Sequence, residues 1–333
     1  MNTILVQNIA EYIAKAEHIL LLTDERIDGD TLGSTMGLFH VLTALGKRVD
    51  VFSPKPLPKT FTYLPMIDVI RRDHTVLTQP SIDLAIICDC SDGMYLPPVL
   101  AKMVHKVPLI SFDHHITNPK YGTVNIIEPN AASTADVVWR FVKAAGYPIP
   151  SHAAQCFLTG IITDTQVFFS ANTTTAAVSA AAELVKHGAK LQEIIRANYV
   201  NKSTNFLRVW GIALERLFPD TQFGGIATAI TQKDIADGGA TPEEVESIAG
   251  VISEFLNATL DETHDVIVVY RETVDGAVKG SARARTKNVA AIAEKLYGGG
   301  GHKLAAGFKV PNAHMQQNTN GTWAIAPFSP ERA

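Results

Sequence analysis

Apolar positions recur along this chain at two alternating periods. Ile4, Ile9, Ile13 and Ala16 share one helix face and lead into the apolar run His18–Thr23, which reads as a buried strand. A polar loop, Asp24–Ser34, then passes into helical spacing that continues to Leu45, and Lys47–Ser53 and Ile82–Cys88 read as further strands. A segment with four prolines (54, 56, 58 and 65) is a surface loop. After a second helical stretch, Val107-Pro108-Leu109-Ile110 reads as a strand that ends on Ser111-Phe112-Asp113-His114-His115-Ile116-Thr117. Residues 131–146, 152–163 and 173 to about 197 have helical spacing. Strands alternating with helical spacers predict an α/β fold built on a doubly wound, mostly parallel sheet.

The second part of the chain reads differently. A helix over Phe206–Phe218, a strand over Gly225–Thr231, a helix over Pro242–Leu256, strands over Asp265–Tyr270 and Val278–Ala284, and a helix over Asn288–Leu296 predict a smaller α+β unit. Residues after Val310 are polar and contain Pro and Asn, as in a frayed or lightly docked tail. The expected organisation is a catalytic domain over 1–190, a helical, polar linker over 191–205, a second domain over 206–312 and a tail over 313–333.

Composition sets bounds on what this framework does. Over 333 residues, 46% hydrophobic and 19% charged, the chain can bury two sizeable cores. A net charge of -4 argues against a protein that coats nucleic acid, though not against a phosphorylated ligand in a local basic pocket. The three cysteines, Cys88, Cys90 and Cys156, are spaced for neither a zinc knuckle nor a disulfide framework. With no secretory leader pattern and no apolar run of about 18 residues, a cytoplasmic location and no membrane span are expected.

The polar residues at the predicted strand ends carry the chemistry. Asp24, Asp28, Asp30, Asp89 and Asp113 each follow an apolar strand, and parallel strands deliver such ends to one edge of the sheet. Asp28 and Asp30, two residues apart, repel each other unless a cation lies between them; Asp30 also reads as a helix N-cap. Asp164 stands among apolar and small residues in Leu158–Thr165, where a buried acid needs a partner. Carboxylates combined with an imidazole suit Mn²⁺ or Mg²⁺ better than structural zinc.

Near the carboxyl end, a helix runs into Gly298-Gly299-Gly300-Gly301-His302-Lys303. A nucleotide P-loop would follow a strand and carry Gly-Lys-Ser/Thr, so this run is not one. It reads either as a helix stop or as a place where backbone N–H groups approach an anion. Lys279, Arg283, Arg285, Lys287, Lys295 and Lys303 outnumber the single acid Glu294 over this stretch, which suits a phosphate-bearing ligand or a solvated basic face.

These residues resemble the DHH-type phosphoesterases that carry a glycine-rich substrate domain, and most of all their nanoRNase branch of bifunctional oligoribonucleases and pAp phosphatases. Asp113-His114-His115 matches the name-giving motif, Asp28–Ser34 the first motif, Asp89 the second and Thr159–Thr165 the fourth. Ser281-Ala282-Arg283 and Gly299–Gly307 match the second domain. The resemblance implies two Mn²⁺ ions, with Mg²⁺ as a substitute. Asp24, Asp28 and Asp89 would hold one ion; Asp30, Asp89, His114 and Asp164 would hold the other. It implies attack by a metal-bridged hydroxide, with His115 at the phosphate or leaving group and Asp113 orienting the histidines. Ser281, Arg283, Gly299, Gly300, Gly301 and His302 would hold the substrate's end across a cleft. The implied substrates are short RNA such as nanoRNA and pApA, or a mononucleotide such as pAp; a homodimer is compatible with the pattern.

One position departs from the family. The first motif usually begins with His four residues before its first aspartate, and here that position is Asp24. Five aspartates then outweigh two divalent ions by one charge, which disfavours both a deprotonated water and an incoming phosphate. Weaker activity at neutral pH, partly restored by Asp24→His, is expected. Two other readings remain: a manganese inorganic pyrophosphatase, and a catalytically impaired nucleotide-binding protein.

Overall fold

The computed structural model describes residues 2–91, 94–170, 172–200, 202–259 and 263–328. The chain divides into two compact units, Met1–Asn201 and Lys202–Ala333.

In the first unit the element order is α1 (Thr3–Lys15), β1 (His18–Leu22), α2 (Gly29–Ala44), β2 (Arg48–Phe52), β3 (Ile70–Arg71), β4 (Leu84–Cys88), α3 (Leu96–Leu100), β5 (Leu109–Asp113), β6 (Val124–Ile127), α4 (Thr134–Ala144), α5 (Ser151–Asp164), α6 (Thr175–Lys186) and α7 (Leu191–Ile195). The strands form one sheet in the order β3-β2-β1-β4-β5-β6, and every pairing is parallel. β1 shows why its sequence is apolar without alternation. Ile19 and Leu21 pack toward α2, α4 and α5, while Leu20 and Leu22 pack toward Leu77, Leu96 and Val99 on the other face. A strand covered on both sides has no solvent face to reserve for polar residues.

The helices that carry the site pack closely through glycine. A Cβ on Gly33 of α2 would lie 2.6 Å from the Gly160 nitrogen of α5, and one on Gly160 would lie 2.4 Å from the Ala135 Cβ of α4. The absent side chains let α2, α4 and α5 converge at one point.

Short segments depart from the sequence expectation. The span 173–197 is not one helix: α6 stops at Lys186, α7 follows, and Arg196–Val200 is a π-helical turn. Gly188, with φ +97, breaks the run. The strands β3 and β6 carry too few residues for a period to show.

The second unit contains α8 (Thr204–Glu215), β7 (Phe218–Asp220), β8 (Gly225–Ile230), α9 (Gln232–Gly238), α10 (Pro242–Thr259), β9 (Val266–Glu272), β10 (Ala277–Ala284), α11 (Val289–Tyr297), β11 (Gly300–His302), β12 (Ala305–Pro311), β13 (Ala313–Gln317) and β14 (Trp323–Pro327). Its mixed sheet runs β11-β12-β10-β9-β8-β7, with only β8 and β9 parallel. Val266, Val268 and Tyr270 face Phe308 and α11, whereas Ile267 and Val269 face α8 and α10. The residues read as a frayed or lightly docked tail form the β13–β14 hairpin, and Ala313 and Met315 are buried in this core. Two apolar anchors in a polar segment are enough to dock it. Among the described residues no helix is long and apolar enough to cross a membrane.

Candidate active site

The first sheet changes its direction of winding between β1 and β4, since the chain leaves β1 toward β2 and β3 and then resumes at β4 toward β5 and β6. Doubly wound sheets bind ligands in the crevice beyond the strand ends at such a point. Asp24 lies just past β1, Asp89 directly follows β4, and Asp113 closes β5. Asp89 is in the left-handed region at φ +60, which an aspartate tolerates better than most residues.

Four expected ligands come together there. The His114 Nε2 lies 3.7 Å from Asp164 Oδ2, 3.9 Å from Asp30 Oδ2 and 4.0 Å from Asp89 Oδ1. These separations are too long for hydrogen bonds and match the roughly 3–4 Å between two ligands of one divalent ion. Asp30, His114 and Asp164 present ligand atoms within 4.8 Å of one another, and so do Asp89, His114 and His115.

The electrostatics of the group suit a cation. Asp30 is held well above the usual carboxylate range, first by burial and then by the Asp164 and Asp28 carboxylates. Asp89 is raised likewise, by burial and then by Asp30 and Asp28. The protein offsets part of this cost itself. The Thr134 and Ala135 backbone N–H groups, in the first turn of α4, donate to Asp30 at 2.6 and 2.8 Å. The Thr31 and Thr134 hydroxyls donate to Asp89 at 2.7 and 2.9 Å. These neutral donors leave the mutual repulsion of the carboxylates in place, and a divalent cation removes it. The donors are carboxylates and imidazoles, and Cys88, Cys90 and Cys156 are buried, form no disulfide and lie outside both groups, so the set fits Mn²⁺ or Mg²⁺.

The two histidines are set apart by their partners. His114 Nδ1 donates to the Ala131 carbonyl at 3.3 Å, which leaves Nε2 with its lone pair facing the carboxylates. His115 Nδ1 instead meets Asp113 Oδ1 at 2.7 Å and lies 3.6 Å from Asp89 Oδ1. Burial alone would lower the His115 pKa, but the Asp113 bond and the Asp89 carboxylate outweigh it and raise the value. Asp113 is fully buried and would be raised by that burial; bonds from His115 and Asn118 hold it below the usual range instead. The same oxygen also accepts the His114 and His115 backbone N–H groups, so Asp113 fixes the loop that carries both imidazoles.

The other expected ion set is not gathered. Among the described residues Asp24, Asp28 and Asp89 form no common group. Asp28, not Asp30, caps α2, its Oδ1 accepting from the Asp30 and Thr31 N–H groups at 2.9 Å. Asp24 is buried and bonded to the Glu25 N–H at 2.5 Å and to Arg26 Nη2 at 3.3 Å. Asp164, expected to be buried, is half-buried: it is the last residue of α5, and Asn172 Nδ2 holds its Oδ2 at 3.2 Å.

In the second unit the expected substrate residues fall on β10 and on β11, with Gly299 just before it, on either side of β12. Ser281 of β10 pairs with Gly307 of β12, which pairs with Gly300 of β11; Arg283 pairs with Ala305, which pairs with His302. The glycine run is therefore not an open anion loop. Gly298 ends α11 at φ +64, and Gly300–His302 is an edge strand. A Cβ on Gly301 would lie 2.4 Å from the Ala305 carbonyl oxygen, so the cross-strand approach itself requires glycine. Gly299 and Gly301 flank Gly300 in this run, and the His302 side chain lies outside the described residues. Ser281, Lys279, Arg271 and Lys309 line a cavity of about 320 Å³.

Sequence reasoning missed the residues that hold the acids: Thr31, Thr134, Asn118, Asn172 and Arg26. Thr31 and Asn118 lie within or beside the acid motifs, which was the available signal. Thr134 and Asn172 are distant single polar residues and give none.

Comparison with known proteins agrees with both units. The model of the DHH family's N-terminal domain matches residues 18–161, and that of the DHHA1 domain matches residues 226–320. The chain is 30% identical over 317 residues to the bifunctional oligoribonuclease and PAP phosphatase NrnA of Thermus thermophilus, covering 93% of this chain and 89% of the relative. It is 23% identical to the protein of the same name from Bacillus subtilis, covering 93% of each. The crystal structure of an exopolyphosphatase-related protein from Bacteroides fragilis has the same fold, with a TM-score of 0.81 over 92% of this chain and 91% of that one at 22% identity.

Proposed function

From the premise that the chain belongs to the DHH family, with a DHHA1 domain following its DHH domain, we propose that it is a divalent-metal phosphoesterase. Its substrates are short oligonucleotides such as nanoRNA and pApA, 3′,5′-bisphosphate nucleotides such as pAp, or both. The observation that carries this reading is the convergence of Asp30, His114 and Asp164 beside Asp89 at the winding reversal of the sheet.

Asp30, Asp89, His114 and Asp164 would hold Mn²⁺, or Mg²⁺ in its place. Such an ion supplies Lewis acidity, neutralising phosphoryl oxygens and making water acidic enough to attack phosphorus at neutral pH. The chain's own groups do the rest. His115, whose pKa the Asp113 bond and the Asp89 carboxylate raise, would donate to a phosphoryl oxygen or to the leaving oxygen. Asp113 favours the protonated ring and sets the imidazole's direction. Burial of Asp30 and Asp89 limits competing water around the acids. Ser281, Arg283, Gly299, Gly300, Gly301 and His302 would hold the terminal phosphate or base, and a site that grips an end favours very short substrates.

The test is a Mn²⁺ assay across pAp, pApA, a five-nucleotide RNA, cyclic di-AMP and pyrophosphate, with Asp89→Ala as the control. Turnover of pApA or pAp that is lost in the control is expected. Turnover of pyrophosphate alone would replace this reading with a pyrophosphatase.

A further inference from the structure

The acids beyond β1 do not behave alike. Asp30 faces His114 and Asp164 across a gap that suits an ion. Asp28 spends one oxygen on the Asp30 and Thr31 N–H groups in the first turn of α2. Asp24 is only 2% exposed, yet it lies in neither of the groups that could hold a metal. Both of its oxygens have donors: Oδ1 takes the Glu25 N–H, and Oδ2 takes the Arg26 guanidinium. A carboxylate this deeply buried needs a positive partner, and the chain provides one two residues away.

The Arg26 guanidinium is fixed in charge and reaches Asp24 through one nitrogen, while its side chain stays 60% exposed. Its own carbonyl lies 3.5 Å from the Thr31 hydroxyl, which in turn donates to Asp89. The loop carrying Arg26 thus runs along the same edge as the gathered ligands. Asp24, paired with Arg26, contributes no net charge there, and its oxygens are already engaged.

We propose that the chain holds its divalent cation in a single place, at Asp30, His114 and Asp164 beside Asp89, and that the Arg26 guanidinium bonded to buried Asp24 stands in for a second cation. This rests on the metal-site reading above. It removes the charge excess that Asp24 would otherwise bring, since Arg26 cancels it without an ion. It also assigns Arg26 a positioning role that the acid motifs alone do not reveal.

The experiment counts ions and needs no substrate. The full chain is stripped with chelator, reloaded with Mn²⁺, and examined by elemental analysis, equilibrium dialysis and electron paramagnetic resonance. One ion per chain with an uncoupled mononuclear spectrum is expected. The Asp24→His, Arg26→Ala double variant should take up two ions and show a spin-coupled spectrum. Arg26→Gln, which keeps bulk and removes charge, should likewise gain a second, weaker ion. Two tightly bound ions in the unaltered chain would overturn the inference and leave the phosphoesterase reading standing. No bound ion would overturn both. A double variant that folds, by circular dichroism, but still binds one ion would overturn the role given to Arg26.

Discussion

Asp113 was legible in the sequence as one member of a polar triplet, but its work is visible only in its contacts. It collects two backbone N–H groups and the His115 ring on one oxygen, and the Asn118 amide on the other at 2.7 Å. Asn118 also donates to the Cys90 carbonyl at 3.0 Å and so ties the His114–His115 loop to the end of β4. Removing a group that orients catalytic or ligand side chains costs about 10–100-fold in activity or metal affinity. Asn118→Ala should therefore lower kcat within that range. Its Mn²⁺ content should stay normal, because His114 is oriented separately by Ala131. Steady-state kinetics with metal analysis on one preparation checks both parts. The acids were readable because ionisable groups at apolar strand ends are costly without partners. The amides and hydroxyls that hold them were not, since a lone Asn or Thr suits any surface turn. Arg26 shows the same limit: its charge was plain, but its pairing with Asp24 needed the loop's path.

Strands and long helices of the first unit followed from their apolar runs, and apart from α6, which stops early at Lys186, their ends fall within a few residues of the expected ones. The elements that escaped are short or cooperative. β11 exists only through its pairing with β12, and a run of glycines carries no side-chain period to announce a strand. The crossing of α2 and α5 was equally hidden, although it builds the site. A Cβ on Gly160 would meet the Ala135 Cβ at 2.4 Å and Asp30 Oδ1 at 2.8 Å. Gly160→Ala should thus act twice. Overpacking of this kind costs about 1–3 kcal/mol, and the displaced Asp30 carboxylate should weaken Mn²⁺ binding. Urea unfolding of the metal-free chain reads the first effect, and Mn²⁺ titration calorimetry reads the second. An unchanged Mn²⁺ affinity despite lost stability would show that Asp30 moves without cost to the site.

At the scale of the molecule, the two-part organisation was legible in the change of pattern near residue 200, and the structure divides at Asn201 and Lys202. What no pattern could supply is the coupling of stability to pH and metal, which depends on how many acids are buried together. Asp30 and Asp89 have folded pKa values above the ordinary carboxylate value of about 3.9. The folded chain therefore binds more protons than the unfolded chain between that value and the raised one, and stability falls as pH rises through this window. His115 acts with the same sign, since its raised value makes its contribution complete below about 6.5 and lost above its folded pKa. Asp113, Asp234 and Asp275 are lowered instead, so their contributions are lost as pH falls below about 3.9. The metal-free chain should accordingly be most stable in mild acid, with a melting temperature that declines toward neutral pH. Mn²⁺ should reverse that decline, because it binds the deprotonated acids and only the folded chain presents them together. At a hundredfold excess over its Kd it adds about 2.7 kcal/mol, or roughly 5–10 °C for a folding unit of this size. The gain should shrink as pH falls and protons compete for Asp30 and Asp89. Differential scanning fluorimetry at pH steps from acid to neutral, with and without Mn²⁺, measures both curves. A Mn²⁺-induced shift of equal size at every pH would mean that these buried carboxylates are not where the ion binds.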